Sequence, residues 1–176
     1  ARQVVLLSSF QAEESVLIDM MARVVPGIRT VTIDTGRLPD ETYATMERLR
    51  ARYGIHVEVI CPEARHVEAM VTRYGVNLFY QEVGLRQLCC YVRKVLPLQR
   101  ALQGAKAWIT GLRREQSATR AGVSVVDYDP LRPGVLKLAP LAFWTSQQVW
   151  DYIRRYQVPY HPFYDRGYTS IGCAPC

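Results

Sequence analysis

No stretch of eighteen consecutive apolar residues occurs in this chain of 176 residues, which excludes a helix that crosses a membrane. Runs of five or more Lys or Arg are absent, as is any interleaving of basic and aromatic residues, so nothing marks a nucleic-acid platform. Histidine is scarce, and the three present, His56, His66 and His161, show no metal-ligand spacing. Acidic residues are the minority charge, 16 against 22 Lys+Arg, for a net charge of +6. An excess of that size fits a localised site for a small polyanion better than a nucleic-acid face. Repeats, low-complexity segments and linkers are missing, and 49% apolar content supports one domain with its own core over residues 1–176. The opening Ala-Arg-Gln-Val-Val-Leu-Leu is too short for a signal peptide and reads as a strand under way. With an end on the last residue of a CxxC, the chain reads as the ordered core of a longer polypeptide.

Cysteine is sparse, and its placement narrows the chemistry most. Four of the five fall in two tight pairs, Cys89-Cys90 and Cys173-Ala-Pro-Cys176. Cys61 stands alone in Val-Ile-Cys-Pro and reads as a small buried hydrophobe. An odd count without a secretory signal favours a reducing cytosol and metal-ligating thiols. Four thiolates suit one tetrahedral metal or one [4Fe–4S] cluster, and spacing alone leaves zinc and iron–sulfur equally open. A Cys173–Cys176 disulfide is the plainer alternative, but it leaves Cys89-Cys90 unexplained. Neighbours on a helix point about 100° apart, so both can reach one cluster only where the backbone departs from ideal helix. Arg86, Arg93, Lys94 and, further on, Arg100 could offset the negative charge of ligating thiolates. Lys94, one turn beyond Cys90, is placed to face the same region unless it is simply an exposed helix lysine.

Apolar periodicity organises the rest. Strands are expected at 3–7, 30–33 and 55–60, with helices at 13–24, stopped by Pro26-Gly27, and from Pro39 to Gly54. That β-α-β-α-β order means parallel strands with right-handed crossovers. A short helix at 66–74 and a longer one at 85–102, bent near Pro97, precede strands at 107–110 and 135–139. Thr145-Ser-Gln-Gln148 has capping-box spacing and starts a helix through Tyr156. Residues 157–176 are rich in Pro, Gly and Tyr, lack any period, and must be held by contacts or by metal.

Ligands of a doubly wound sheet bind beyond the carboxyl ends of its strands. Three loops leave such ends with suitable groups. Ser8 and Ser9, at a helix start, can cradle an anion with side chain and backbone donors, or Ser9 can merely cap the helix. Asp34-Thr35-Gly36 permits close approach of a ligand, or is a simple Asp-capped turn. Gly111-Leu-Arg-Arg-Glu-Gln116, with Arg120 beyond, places Arg forks that suit phosphate or sulfate oxygens, or forms a solvated, salt-bridged face.

Together these segments resemble the assimilatory sulfonucleotide reductases. The matching residues are Ser8-Ser9-Phe10-Gln11-Ala12-Glu13, Ile33-Asp34-Thr35-Gly36, Cys89-Cys90 with Lys94, Gly111 to Gln116, Pro140-Leu-Ala-Phe-Trp-Thr145, and Tyr160 to Cys176. The resemblance implies a doubly wound α/β fold like that of the PP-loop adenine-nucleotide α-hydrolases, with an irregular C-terminal segment. Ser9 and Phe10 stand where PP-loop enzymes carry glycines, which suits a phosphosulfate better than a triphosphate. The two cysteine pairs resemble the branch that holds a [4Fe–4S] cluster and acts on adenosine 5′-phosphosulfate (APS). The branch acting on the 3′-phosphorylated substrate (PAPS) typically lacks them. The resemblance further implies attack by a cysteine on the sulfur of APS, release of AMP, and release of sulfite by thioredoxin or a related dithiol. By the same resemblance Cys89, Cys90, Cys173 and Cys176 ligate the cluster, and Lys94 and Arg113 stabilise charge. Ser8, Ser9, Phe10, Asp34, Thr35, Gly36, Gly111, Arg113, Arg114 and Gln116 would contact substrate. A cytoplasmic homo-oligomer is expected. The family nucleophile lies in a Glu-Cys-Gly-Leu-His motif that none of the five cysteines matches, so these 176 residues are expected to bind APS without turning it over.

Overall fold

Residues 3–176 are described in the computed structural model. The apolar run Val4–Leu7 forms strand β1, and its alternating side chains point to opposite faces of a sheet. Val5 packs with Val31, Trp108, Ala101 and Leu102 on one face, while Leu6 joins Val16, Leu17, Leu49 and Ile153 on the other. Helix α1 (Ala12–Val24) follows, then β2 (Arg29–Ile33), α2 (Asp40–Tyr53) and β3 (Val57–Ile60). Gly54 ends α2 in the left-handed conformation at φ 61°, its N–H on the Arg50 carbonyl, a geometry that glycine adopts without strain. Helix α3 (Ala64–Tyr74) starts two residues before its expected position.

The sheet runs β3-β2-β1-β4-β6-β5, with β4 at Ala107–Ile109, β5 at Val126–Tyr128 and β6 at Leu136–Leu138. All pairings are parallel except β5 with β6. The chain builds outward from β1 to β3, then returns to place β4 on the other side of β1, so the topological switch lies between β1 and β4. The doubly wound architecture is therefore as expected, with β5 as an unanticipated antiparallel edge. Helix α6 (Ser146–Tyr156) opens with the expected capping box, in which Thr145 Oγ1 accepts from Gln148 N–H at 3.1 Å and Gln148 accepts from Thr145 N–H.

The expected helix over 85–102 is three pieces. Helix α4 (Val83–Cys90) passes into a π-helical turn, Tyr91–Val95, and then α5 (Leu96–Ala101). Leu96 N–H reaches back five residues to the Tyr91 carbonyl. Pro97 has no N–H and its ring crowds the carbonyl four residues back, so widening the preceding turn relieves a clash that a regular helix would suffer. Cys89 and Cys90 themselves lie in the regular helix α4, against the expected departure at the pair, and the widened turn begins only at Tyr91.

Candidate active site

Beyond the carboxyl ends of β1, β2 and β4 lies a cavity of about 320 Å³ lined by Ser8, Ser9, Thr35, Thr110, Lys94 and Gly172, among others. Phe10 takes a left-handed backbone, φ 60°, and its ring is buried in the core. Its N–H donates to Ser8 Oγ at 3.1 Å. Phe10 therefore shapes the loop that presents Ser8 and Ser9 and is not itself among the residues lining this cavity. Ser9 does not cap α1: Gln11 holds that position, and Ser9 Oγ donates to Glu14 at 3.4 Å and accepts from Gln11 Nε2 at 3.2 Å.

Asp34 is likewise internal to its turn. Its Oδ1 accepts from Gly36 N–H at 2.8 Å and from Tyr43 Oη at 2.9 Å. Burial, with the Asp34 carboxylate beside it, pushes the Tyr43 hydroxyl up to about 12. Gly36 sits at φ 68° with Arg93 closing on it, and Arg93 Nη1 donates to the Thr35 carbonyl at 2.8 Å. Of the three turn residues, Thr35 alone lines the cavity, and its Oγ1 lies 3.2 Å from Cys173 Sγ.

A second cavity, about 460 Å³, adjoins the first through Lys94, Ile171 and Gly172, which line both. Cys89, Cys90, Cys173 and Cys176 all line it, and none is in a disulfide. Cys61 is exposed elsewhere, not buried as expected. Four cations, Arg37, Arg86, Arg93 and Lys94, share this wall with the thiols, and no carboxylate does. Arg100 is not among them, being paired with Glu63 at 3.1 Å. Burial pushes the Cys89 thiol up, an effect that Arg93 opposes and the other three cysteines reinforce. The C-terminal turn is fastened here by Ala174 N–H on the Arg37 carbonyl and by Tyr80 Oη on the Pro175 carbonyl.

The donor set can be tested against a metal. A single tetrahedral zinc, with bonds of about 2.3 Å to sulfur, draws its ligands to within about 4 Å of one another. Among the described residues no three Cys, His, Asp or Glu side chains are grouped closely enough to hold one ion. The four free thiols nonetheless line one cavity together with four cations, a donor set whose number and charge balance suit a thiolate-ligated group.

The loop after β4 borders a third cavity of about 610 Å³. Gly111 is required there by close approach: a Cβ would lie 2.6 Å from Glu14 Oε1 and 2.7 Å from Glu13 Cβ. Arg113 lines this cavity, yet its guanidinium is committed to Glu13 at 2.8 Å, Glu115 at 3.1 Å and the Trp144 carbonyl at 3.1 Å. Gln116 bridges the same group, donating to Glu13 Oε1 at 3.0 Å and accepting from Arg113 N–H at 3.1 Å. Arg114 faces elsewhere, because its Nε donates to the Val123 carbonyl at 2.8 Å and it stacks on Phe143 at 4.3 Å. Of the cations expected at the site, Lys94 is therefore the one that faces the cavities without an ion pair or hydrogen bond among the described residues. Glu14 and Arg37 are site residues that sequence reasoning passed over. The acidic Glu13-Glu14 pair opening a helix beside an anion loop was the available signal for the first; Arg37 carried none.

The phosphoadenosine phosphosulfate reductase domain family matches residues 3–176. The adenosine 5′-phosphosulfate reductase of Allochromatium vinosum is 46% identical over 173 residues, 98% of this chain and 67% of that protein. Its counterpart in Bacillus pumilus is 43% identical over 175 residues, 99% of this chain and 73% of that protein. Among solved structures, phosphoadenylyl-sulfate reductase from Candida auris, in a phosphate complex, is 26% identical. It superposes with a TM-score of 0.84, over 100% of this chain and 83% of that one. FMN adenylyltransferase of Candida glabrata shares the PP-loop-like fold at a TM-score of 0.65 and 17% identity, over 98% of this chain and 55% of that one. On sequence and fold alike, the chain belongs to the phosphoadenosine phosphosulfate reductase domain family.

Proposed function

We propose that this domain binds APS and belongs to an enzyme that reduces it to sulfite and AMP in sulfate assimilation. The observation that carries the reading is the junction at Lys94. This lysine lines both the hydroxyl-bearing cavity at the strand ends and the cavity walled by four thiols and four cations. An AMP moiety in the first cavity directs its sulfate toward the second, past the lysine. The names of relatives, the adenosine 5′-phosphosulfate reductases of A. vinosum and B. pumilus, support the same chemistry.

The reaction balances as follows. A cysteine thiolate forms a bond to the sulfur of APS, the S–O bond to phosphate breaks, and AMP leaves with the electron pair. A dithiol thiolate then attacks the cysteine sulfur of the S-sulfocysteine, and sulfite leaves with the S–S electron pair. Closure of the donor's disulfide frees the enzyme thiol, so the dithiol loses two electrons and the sulfate sulfur gains them. Thiolate and phosphosulfate repel each other, so a cation must screen both and stabilise charge gathering on the leaving phosphate. Lys94 is placed for this, and Ser8 and Ser9 are placed to donate to phosphate oxygens. Arg113 acts one step removed: paired with Glu13, it fixes the start of α1 on which that loop depends.

Cys89, Cys90, Cys173 and Cys176 would hold the [4Fe–4S] cluster. When bound it supplies a cross-link and a local negative charge, which Arg37, Arg86 and Arg93 are placed to balance. We further place the enzyme in a reducing cytoplasm, as a homo-oligomer served by thioredoxin. The rival reading, a PAPS reductase, draws on the superposition with the C. auris enzyme. Full-length protein given reduced thioredoxin and either nucleotide decides between them. Sulfite and AMP from APS, with a brown iron-containing protein, are the expected result; turnover of PAPS alone overturns the assignment.

A further inference from the structure

Two adjacent glutamates on the first turn of α1 meet opposite environments. Glu13 is buried and held by the guanidinium of Arg113 and the amide of Gln116. Glu14 has no cation of its own among the described residues. Its carboxyl forms a wall common to the cavity bearing Ser8, Ser9 and Lys94 and to the cavity bearing Arg120 and Gln116. It is wedged against Gly111, where a single added carbon would lie 2.6 Å from Oε1, and Ser9 Oγ donates to Oε2 at 3.4 Å. The groups facing it are few. Glu13 repels it from its own helix, and Tyr164 approaches from the 3₁₀ turn Pro162–Arg166. Arg113, after β4, is spent on Glu13 and Glu115, and Arg120 is bonded to Gln116. Lys94 stands across the first cavity.

A bare carboxylate in an anion cradle repels the ligand that the cradle is built for. A neutral carboxyl beside the same serines donates a hydrogen bond to it instead. We propose that Glu14 binds a proton as the anionic group of the nucleotide settles against Ser8 and Ser9, so that affinity is linked to proton uptake at this side chain. Burial, reinforced by the charge of Glu13, pushes the Glu14 carboxyl up to about 7 before any ligand enters, so the linkage acts within the physiological range. The neighbouring pair thus divides the labour: Glu13 holds Arg113, and Glu14 changes state with the ligand.

The inference rests on the reading of the site as one for APS, a ligand whose own charge is constant near neutrality. The test is the pH profile of kcat/KM for APS on full-length protein, which reports ionisations of the free enzyme. Wild type should show a descending limb near pH 7, approaching a tenfold loss per pH unit above it, because only the protonated fraction is competent. Glu14→Gln should lose that limb while keeping the ascending limb of the nucleophilic thiol, and Glu14→Asp should retain a descending limb. A wild-type profile flat from pH 6.5 to 8.5, or one unchanged in Glu14→Gln, overturns the inference while leaving the function intact. Absence of APS turnover at every pH overturns the functional reading, and the inference with it.

Discussion

Lys94 and His161 illustrate how differently two side chains of this domain carry their weight. Lys94 is exposed and unbonded among the described residues, so its removal should leave stability within about 0.5 kcal/mol. A charge-assisted hydrogen bond to an anion is worth about 1.5–3 kcal/mol. Lys94→Ala in full-length protein should therefore lower kcat/KM for APS roughly 10- to 150-fold with an unaltered melting temperature. Unchanged kinetics removes Lys94 from the mechanism. His161 is buried, and its Nδ1 accepts from Phe163 N–H at 3.2 Å, which leaves Nε2 to donate to Thr42 Oγ1 at 3.1 Å. The ring is thus neutral, and burial holds its pKa below the ordinary 6.5. The unfolded chain takes up this proton first, so the contribution of His161 is complete above about pH 6.5 and is lost as pH falls toward the folded value. Glu14, raised to about 7, acts in the opposite sense over the same window: its folded form binds the proton first and favours low pH. Denaturant titrations in a Glu14→Gln background isolate the histidine. Stability should decline from pH 7 to 5.5 by at most about 1.4 kcal/mol per pH unit, and His161→Gln should abolish the slope.

The elements show why some of this was legible in the sequence and some was not. Strands β1 to β4 and helices α1 and α2 announce themselves because each buries a regular face, as with Val5 and Leu6 on opposite sides of the sheet. Strand β5 gives no such signal: its three residues are all exposed, and it exists because β6 offers it an edge. The helix defect was legible in part, since Pro97 marks the break while the turn that its ring widens lies just before it, at Tyr91–Val95. Convergence of the four cysteines on one cavity follows from their spacing and the fold. By contrast, the opposite fates of Arg113 and Arg114 depend on Glu13 and Val123, which sequence alone does not bring near. Gly111 belongs to the same class, because nothing local demands glycine there. Its neighbour across space is the backbone-proximal Cβ of Glu13, which cannot move without shifting α1. Gly111→Ala should accordingly cost about 1–3 kcal/mol, the usual penalty for overpacking. The loss should appear as a lowered denaturation midpoint at unchanged m-value.

At the scale of the whole molecule, the C-terminal segment after α6 is an irregular strap across the carboxyl ends of the strands. Its ties fall in two groups. Residues up to Tyr164 are anchored to the helices: Arg48 donates to the Tyr160 carbonyl at 2.8 Å, Thr42 meets His161, and Ala12 N–H donates to Tyr164 Oη at 3.2 Å. Beyond Gly167, backbone ties to the body are sparse, Ile171 N–H on Gln11 and Ala174 N–H on Arg37 among them. If Cys173 and Cys176 bind metal together with Cys89 and Cys90, the distal half of the strap owes its position largely to that group, while the sheet and the strap's anchored half do not. Anything bound only by the folded state adds stability, but here the loss should be local. Removal of iron by chelation under reducing conditions should open cleavage sites between residues 167 and 176 to protease, with the remainder of the domain intact. Cys173→Ser should reproduce that pattern without chelator, and Cys61→Ser, at an exposed cysteine outside the cavity, should not. Protection of residues 167–176 that persists after complete loss of iron would show that hydrogen bonds and packing suffice to hold the strap, and would strip the four thiols of their structural role.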